Sequence, residues 1–209
     1  MSDARIGAHG PQGEPVSGKQ SRHRLTVVSG PSGVGKSSVV GELRRLNPEI
    51  YFSVSVTTRP PRPGEVDGQH YHFVDREGFQ DLIARGELLE HAEFAGNCYG
   101  TPRTPVEEAL RAGRPAVLEI ELQGARQVRA AMPDSRLVML VPPSWGELVG
   151  RLTGRGTEQD EAVQARLAEA ERELAAAGEF DATVVNADVR AAARELLDLM
   201  TGEDAESSR

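Results

Sequence analysis

Cysteine occurs once in the 209 residues, at Cys98. A single cysteine makes no internal disulfide, which excludes a disulfide scaffold and points to a reducing compartment, the cytoplasm by default. No apolar run approaches the roughly 20 residues of a membrane helix, and the N-terminus has no apolar stretch of the signal-peptide kind. Positive charge is also short, with 24 Lys and Arg against 32 Asp and Glu and a formal net charge of −8. That balance argues against broad nucleic-acid binding, which needs a basic face. Lysine is scarcest of all: Lys19 and Lys36 are the only two, and the other 22 basic residues are arginines. Any anionic ligand must therefore be met by locally gathered arginines and by Lys36.

What is present is an alternation of strand and helix patterns long enough for one α/β domain. Residues 1–22 are rich in Gly, Pro, Ser and Gln without apolar period and read as a disordered leader; residues 201–209 read as a frayed tail. Strand patterns fall at 25–29, 52–58, 71–74, 88–94, 115–122, 136–141 and 183–186, with helical stretches between most of them. Thr104 with Pro105 and Glu107, and Ser144 with Glu147, are spaced as helix starts. Residues 154–159 read as a linker before a charged helix over 160–177. Such alternation predicts a mostly parallel, doubly wound sheet with helices on both faces.

The most specific pattern is Gly30-Pro31-Ser32-Gly33-Val34-Gly35-Lys36-Ser37, followed by Ser38. It matches G-x-x-x-x-G-K-[ST], directly after a strand and opening a helix. Its glycines let successive N–H groups turn inward onto phosphate oxygens, and the helix adds its N-terminal partial charge. Lys36 can reach the β- and γ-phosphates, and the Ser37 hydroxyl can hold Mg²⁺. A nucleoside triphosphate with Mg²⁺ is the implied ligand. A GTPase would also need an Asn-Lys-x-Asp element to read its base, and neither lysine stands in one. A small-molecule kinase remains ahead.

A second anion site is expected in residues 53–71, where Arg59 and Arg62 stand three apart near Ser55 and Tyr71. Arginine forks pair bidentately with phosphate and a tyrosine hydroxyl adds a directional bond. Taken alone, Arg59-Pro60-Pro61-Arg62-Pro63 fits a proline-rich ligand for a partner domain equally well. Glu119 and Glu121 lie two apart in a strand pattern, which would put both acids on one sheet face. Such a pair is costly unless it binds something. His70, His72, His91 and Cys98 are possible metal ligands, but their spacing does not make a metal site.

Over nearly all of residues 24–200 the sequence resembles guanylate kinases, through GPSGVGKSS, SVTTRPPRPGEVDGQHYHFV, LLEHAEFAGNCYGT, LEIELQG, RLTGRGTE and VVNAD. The resemblance implies a P-loop NTPase fold over about 23–200, with a GMP-binding insertion at about 52–103 and a helical lid at about 144–177. It implies Mg²⁺-dependent phosphoryl transfer from ATP to GMP, and to dGMP, in purine nucleotide metabolism. ATP would lie on Gly30–Ser38 with Asn186 at the adenine. The GMP phosphate would be held by Ser55, Arg59, Arg62, Tyr71 and Tyr99, and guanine read by Glu90 and Thr101. Glu119 would support Mg²⁺ with Ser37, Glu121 would reach GMP, and Arg151, Arg155 and Arg166 would close over the triphosphate. Guanine offers N1–H and N2–H₂ as adjacent donors that one carboxylate accepts together, whereas adenine presents an acceptor at N1. Three positions depart from the family pattern: Cys98 for an aromatic, Val56 for a more polar residue and Ala187 for an acid.

Two other readings compete. One is a kinase for a different phosphorylated acceptor, which would not need Glu90 and Thr101. The other is a non-catalytic phosphopeptide-binding module of the same fold, in which the phosphate loop is degraded, as it is not here. The substrates expected are small molecules, with no nucleic acid and no membrane; monomer and homo-oligomer stay open.

Overall fold

The structure is a computed structural model that describes residues 25–153 and 160–202. The leader expected at 1–22, the linker at 154–159 with Arg155, and residues 203–209 lie outside the described residues.

The first strand, β1 (Leu25–Ser29), is buried along its whole length. A strand covered on both faces needs apolar residues without alternation, and LTVVS supplies them. In chain order there follow α1 (Lys36–Leu46), β2 (Tyr51–Phe52), β3 (Val56–Thr57), β4 (His72–Phe73), α2 (Arg76–Ala84), β5 (Leu88–Phe94) and β6 (Asn97–Pro102). Then come α3 (Arg103–Arg111), β7 (Ala116–Glu119), α4 (Leu122–Ala131), β8 (Arg136–Val141), α5 (Trp145–Thr153), α6 (Asp160–Ala175), a short 3₁₀ turn (Ala176–Glu179), β9 (Ala182–Val185) and α7 (Val189–Thr201). Five strands form a parallel sheet in the order β2-β7-β1-β8-β9. Val39 and Leu43 of α1 and Ala192, Ala193 and Leu196 of α7 pack on Val28, Val138 and Leu140 on one face. Val106 of α3 and Ala125 and Val128 of α4 pack on Leu25, Val27, Leu118 and Leu137 on the other. The doubly wound parallel sheet expected from the sequence is present.

Between β2 and α3 the chain builds a second sheet in the order β4-β3-β6-β5, antiparallel except for the β3–β4 pair. Its small core is Val56, Phe79, Leu88 and Cys98, so the cysteine fills a buried apolar position. The N-terminus of α2 is capped by Asp75, whose side chain accepts from the Gly78 N–H at 2.8 Å. Helices α5 and α6 share Leu148, Leu152 and Ala170. Among the described residues no helix is long and apolar enough to cross a membrane.

Three local expectations change, and one strand lies where none was expected. Residues 52–58 are not one strand: Phe52 ends β2 in the parallel sheet and Val56 starts β3 in the other. NCYGTP, which carries Gly and Pro and no apolar period, is strand β6, held by its pairing with β5 and β3. The helix expected from a Thr104 cap starts at Arg103 without a side-chain cap, whereas Ser144 does accept from the Glu147 N–H at 3.2 Å. Finally, β7 ends at Glu119, and Glu121 is the N-cap residue of α4, so the two acids do not share a strand.

Leu118 is fully buried in β7 at the centre of one core layer. Leu118→Ala is expected to destabilise the fold by about 2–5 kcal/mol, read as a lower urea midpoint by circular dichroism. An unchanged midpoint would show that this layer does not carry the fold.

Candidate active site

The chain leaves β1 and curls through Gly30–Gly35 before entering α1. At Gly30, with φ +146°, a Cβ would stand 2.3 Å from the Leu140 carbonyl oxygen. At Gly35, in the left-handed region with φ +96°, it would stand 2.6 Å from Nδ2 of Asn186. Only glycine fits at either position. The loop is held from its outer side. Asn186, buried just after β9, donates from Nδ2 to the Val34 carbonyl at 2.7 Å, and Arg151 of α5 donates to the same oxygen at 3.2 Å. Arg166 of α6 donates to the Ser32 hydroxyl at 3.3 Å. Ser38 donates its N–H to the Gly35 carbonyl within the first turn of α1, a turn that carries no acid. An unopposed helix N-terminus favours an anion there.

Lys36 folds back so that its ammonium donates to the carbonyls of Gly30 and Pro31 and lies 3.8 Å from Oε1 of Glu121. The Ser37 hydroxyl donates to Oε1 of Glu119 at 2.7 Å. A cavity of about 290 Å³ opens beside these groups. Its wall joins Lys36 and Ser37 of α1, Glu119 at the end of β7 and Glu121 at the start of α4 to Ser55, Tyr71 and Thr101 from the second unit. Although Glu119 and Glu121 belong to different elements, both face this space.

Around Tyr71 the second unit assembles a cationic corner. The Arg59 guanidinium lies 5.3 Å from the Tyr71 ring centre, and Tyr71 meets Tyr99 edge to face at 6.1 Å. Nη2 of Arg59 donates to Oε1 of Glu65 at 2.8 Å, and the Arg62 N–H donates to Oε2 of the same carboxylate at 2.6 Å. These bonds hold the Glu65 carboxyl at about 2, well below the usual carboxylate range. Arg62 itself is exposed.

Glu90 reaches its place through a β-bulge. Leu88 pairs with Pro102 and Glu90 with Thr101, so Leu89 is an extra residue on β5. The bulge sends Leu89 into the parallel-sheet core and leaves Glu90 opposite Thr101. Oγ1 of Thr101 donates to Oε1 of Glu90 at 2.7 Å, and the carboxylate is buried at 6% exposure. Burial raises its pKa, and the bonds from Thr101 oppose that rise.

The expected residues thus fall into connected groups, with Arg155 outside the described residues. Four further residues carry weight in roles that the sequence did not signal. Ser53 and His70 line the cavity, and Glu65 holds the arginine corner. Glu173 of α6 is a buried acid whose carboxyl is pushed up by burial and by a hydrogen bond with Glu121. None lies in a periodic or spaced pattern; each is recruited by a loop or a distant helix.

The guanylate kinase family model matches residues 22–203. A Thermobifida fusca protein named guanylate kinase is 63% identical over 187 residues, covering 90% of this chain and 95% of its own length. A Streptomyces coelicolor protein of the same name is 62% identical over 189 residues, covering 90% and 96%. The crystal structure of guanylate kinase from Anaplasma phagocytophilum superposes with a TM-score of 0.71 at 34% identity, covering 90% of this chain and 89% of that one. The likeness runs through the parallel sheet and the inserted second sheet alike, and on it the chain belongs to the guanylate kinase family.

Proposed function

We propose that this chain transfers the γ-phosphoryl group of ATP to GMP, and to dGMP, giving ADP and the corresponding diphosphate. The observation that carries the reading is the cavity in which Lys36 and Ser37 meet Ser55, Tyr71 and Thr101. A donor phosphate cradle and an acceptor site share one wall, with two carboxylates between them.

GMP is a phosphate monoester with a second pKa of about 6, so near neutral pH its phosphate is already an anionic nucleophile. No general base is needed. The barrier is repulsion between two polyanions and the need for in-line placement, so the work is positioning and charge neutralisation. The N–H groups of the Gly30–Gly35 loop and the start of α1 hold the donor phosphates, and Lys36 turns from the loop carbonyls onto the transferring group. Ser55, Arg59, Arg62, Tyr71 and Tyr99 hold the GMP phosphate, with Glu65 fixing the approach of Arg59. Glu90 and Thr101 read guanine, and Glu121 meets GMP on the core side. Arg151, Arg155 and Arg166 cover the triphosphate and exclude water, and Asn186 serves the adenosine side of the loop it braces.

The neighbouring hydroxyl and carboxylate of Ser37 and Glu119 are hard oxygen donors of the kind Mg²⁺ takes when it keeps waters and substrate phosphates as its other ligands. Bound there with ATP, the ion would neutralise charge on the β- and γ-phosphate oxygens. Buried, unpaired Cys98 suits a reducing compartment, and we place the enzyme in the cytoplasm.

Lys36→Ala should fold normally and lose well over 90% of kcat, because a cation at the transferring group is worth more than about 1.4 kcal/mol. Retention of more than about a tenth of kcat would overturn the assignment of the loop.

Arg59→Ala should raise the KM for GMP by about tenfold or more while leaving the KM for ATP within about twofold, because it removes a charge-assisted partner of the acceptor phosphate. Arg62→Ala should act in the same direction and less strongly, since Arg62 is exposed. Steady-state kinetics in each substrate decide this, and equal effects on both would move the arginines out of the acceptor site.

The reading of guanine is tested by Glu90→Gln, which keeps the shape and turns one acceptor into a donor facing guanine's own hydrogens. The kcat/KM for GMP should fall by about two orders of magnitude or more, while the poor reaction with AMP changes little, because a site built for substrate donors loses most when its partner is mispaired. An unchanged GMP-to-AMP ratio means that the base is read elsewhere.

A further inference from the structure

We propose that Gly124 is a specificity-determining position: its missing side chain is the recess that seats the Glu90 carboxylate. The proposal rests on the assignment of Glu90 to guanine and adds a residue that nothing above has placed at the base.

Gly124 is buried in the first turn of α4, in ordinary helical backbone that any residue can adopt. Nothing in its own conformation asks for glycine. The demand comes from across the gap. A Cβ at this position would stand 2.7 Å from Oε2 of Glu90, 3.2 Å from its Cδ and 3.3 Å from Cδ1 of Ile120. Carbon to oxygen contacts settle at about 3.3–3.6 Å, so the carboxylate could not remain where it is.

The helix cannot step back to make room. One turn on, the Gln127 side chain pairs with both polar groups of the His91 backbone, accepting from its N–H at 3.1 Å and donating to its carbonyl at 2.8 Å. Ala125 and Val128 of α4 are fully buried in the cluster that also takes Leu89, the bulge residue of β5. The strand carrying Glu90 and the helix carrying Gly124 are therefore clamped together on both sides of the contact. The part left to move is the carboxylate, the free end of a side chain.

That movement matters because the two oxygens have different fixings. Oε1 is held by Thr101 at 2.7 Å, and Oε2 is the one over Gly124. Accepting from N1–H and N2–H₂ together requires both oxygens in the plane of the base. Pushing Oε2 aside twists the carboxylate and breaks the double contact while the Thr101 bond still tethers one end. Alanine is also the better helix former, so the substitution removes discrimination without weakening the helix. Glycine at a position whose backbone would admit alanine is accounted for by the space above it.

The experiment compares wild type, Gly124→Ala and Glu90→Gln, with GMP, IMP and ATP as varied substrates and thermal unfolding of each protein. IMP lacks the 2-amino group and reports on one of the two contacts. Gly124→Ala should raise the KM for GMP by about tenfold or more and cut the preference for GMP over IMP by about tenfold. Its KM for ATP should stay within about twofold and it should unfold cooperatively with a Tm within about 5 °C of wild type. If Glu90→Gln alters the GMP-to-IMP ratio and Gly124→Ala does not, the recess is overturned and the reading of guanine by Glu90 stands. If neither alters it, the reading itself falls and takes the proposal with it. A Gly124→Ala protein that fails to fold, or that loses GMP and ATP affinity equally, shows a structural glycine and overturns the proposal as well.

Discussion

A loop that binds phosphate through its own N–H groups has to be held in shape by bonds made somewhere else. This constraint organises much of the molecule. The Val34 carbonyl takes hydrogen bonds from Asn186, just after β9, and from Arg151 in α5. The Ser32 hydroxyl is met by Arg166 in α6. Strand β9, α5 and α6 thus all anchor on the outer rim of one short segment. Glycine at positions 30 and 35 is needed because Leu140 and Asn186 come so close behind it. The parallel sheet matters to function chiefly because it brings β1, β8 and β9 side by side under that loop.

Charge is distributed by the same logic. The chain is acidic as a whole, yet Lys36, Arg59 and Arg151 gather at the candidate site, and each of these three cations already has an oxygen partner. Lys36 rests on loop carbonyls near Glu121, Arg59 on Glu65 and Arg151 on Glu147. Such pairing keeps strong charges oriented without leaving them bare, and a phosphate entering the site competes with groups already in place. The carboxylates are not all alike. Glu65 is held ionised by two donors, whereas burial pushes Glu90 and Glu173 toward their neutral forms.

The phosphate loop and the parallel sheet were legible in the sequence because both depend on local rules. Glycine spacing sets the loop, and unbroken apolar runs such as LTVVS mark strands covered on both faces. The second sheet was legible only in part. Strand β6 contains Gly100 and Pro102 and has no periodicity of its own, so its pairing partners decide it. Glu119 and Glu121 look like a strand pair by spacing, but the chain turns into α4 between them, and the cavity rather than the pleat brings them together. Glu65 and Glu173 were invisible for a related reason. A single acid in a loop or a charged helix carries no pattern, and its role arises from partners brought in by the fold.

The bulge in β5 and the Gln127 clamp have a consequence for how this protein can be taken apart. Glu90 belongs to the inserted sheet by chain connectivity, yet its seat is finished by α4, which belongs to the parallel-sheet core. If Glu90 reads guanine as proposed, the choice of base is a property of the seam between the two units. Grafting the insertion onto a different phosphate-loop core would carry over the arginine corner intact, since Arg59, Glu65, Tyr71 and Tyr99 all lie within it. On the proposed assignments, the graft would keep its grip on a phosphate and lose its discrimination among purines unless the first turn of the following helix travelled with it.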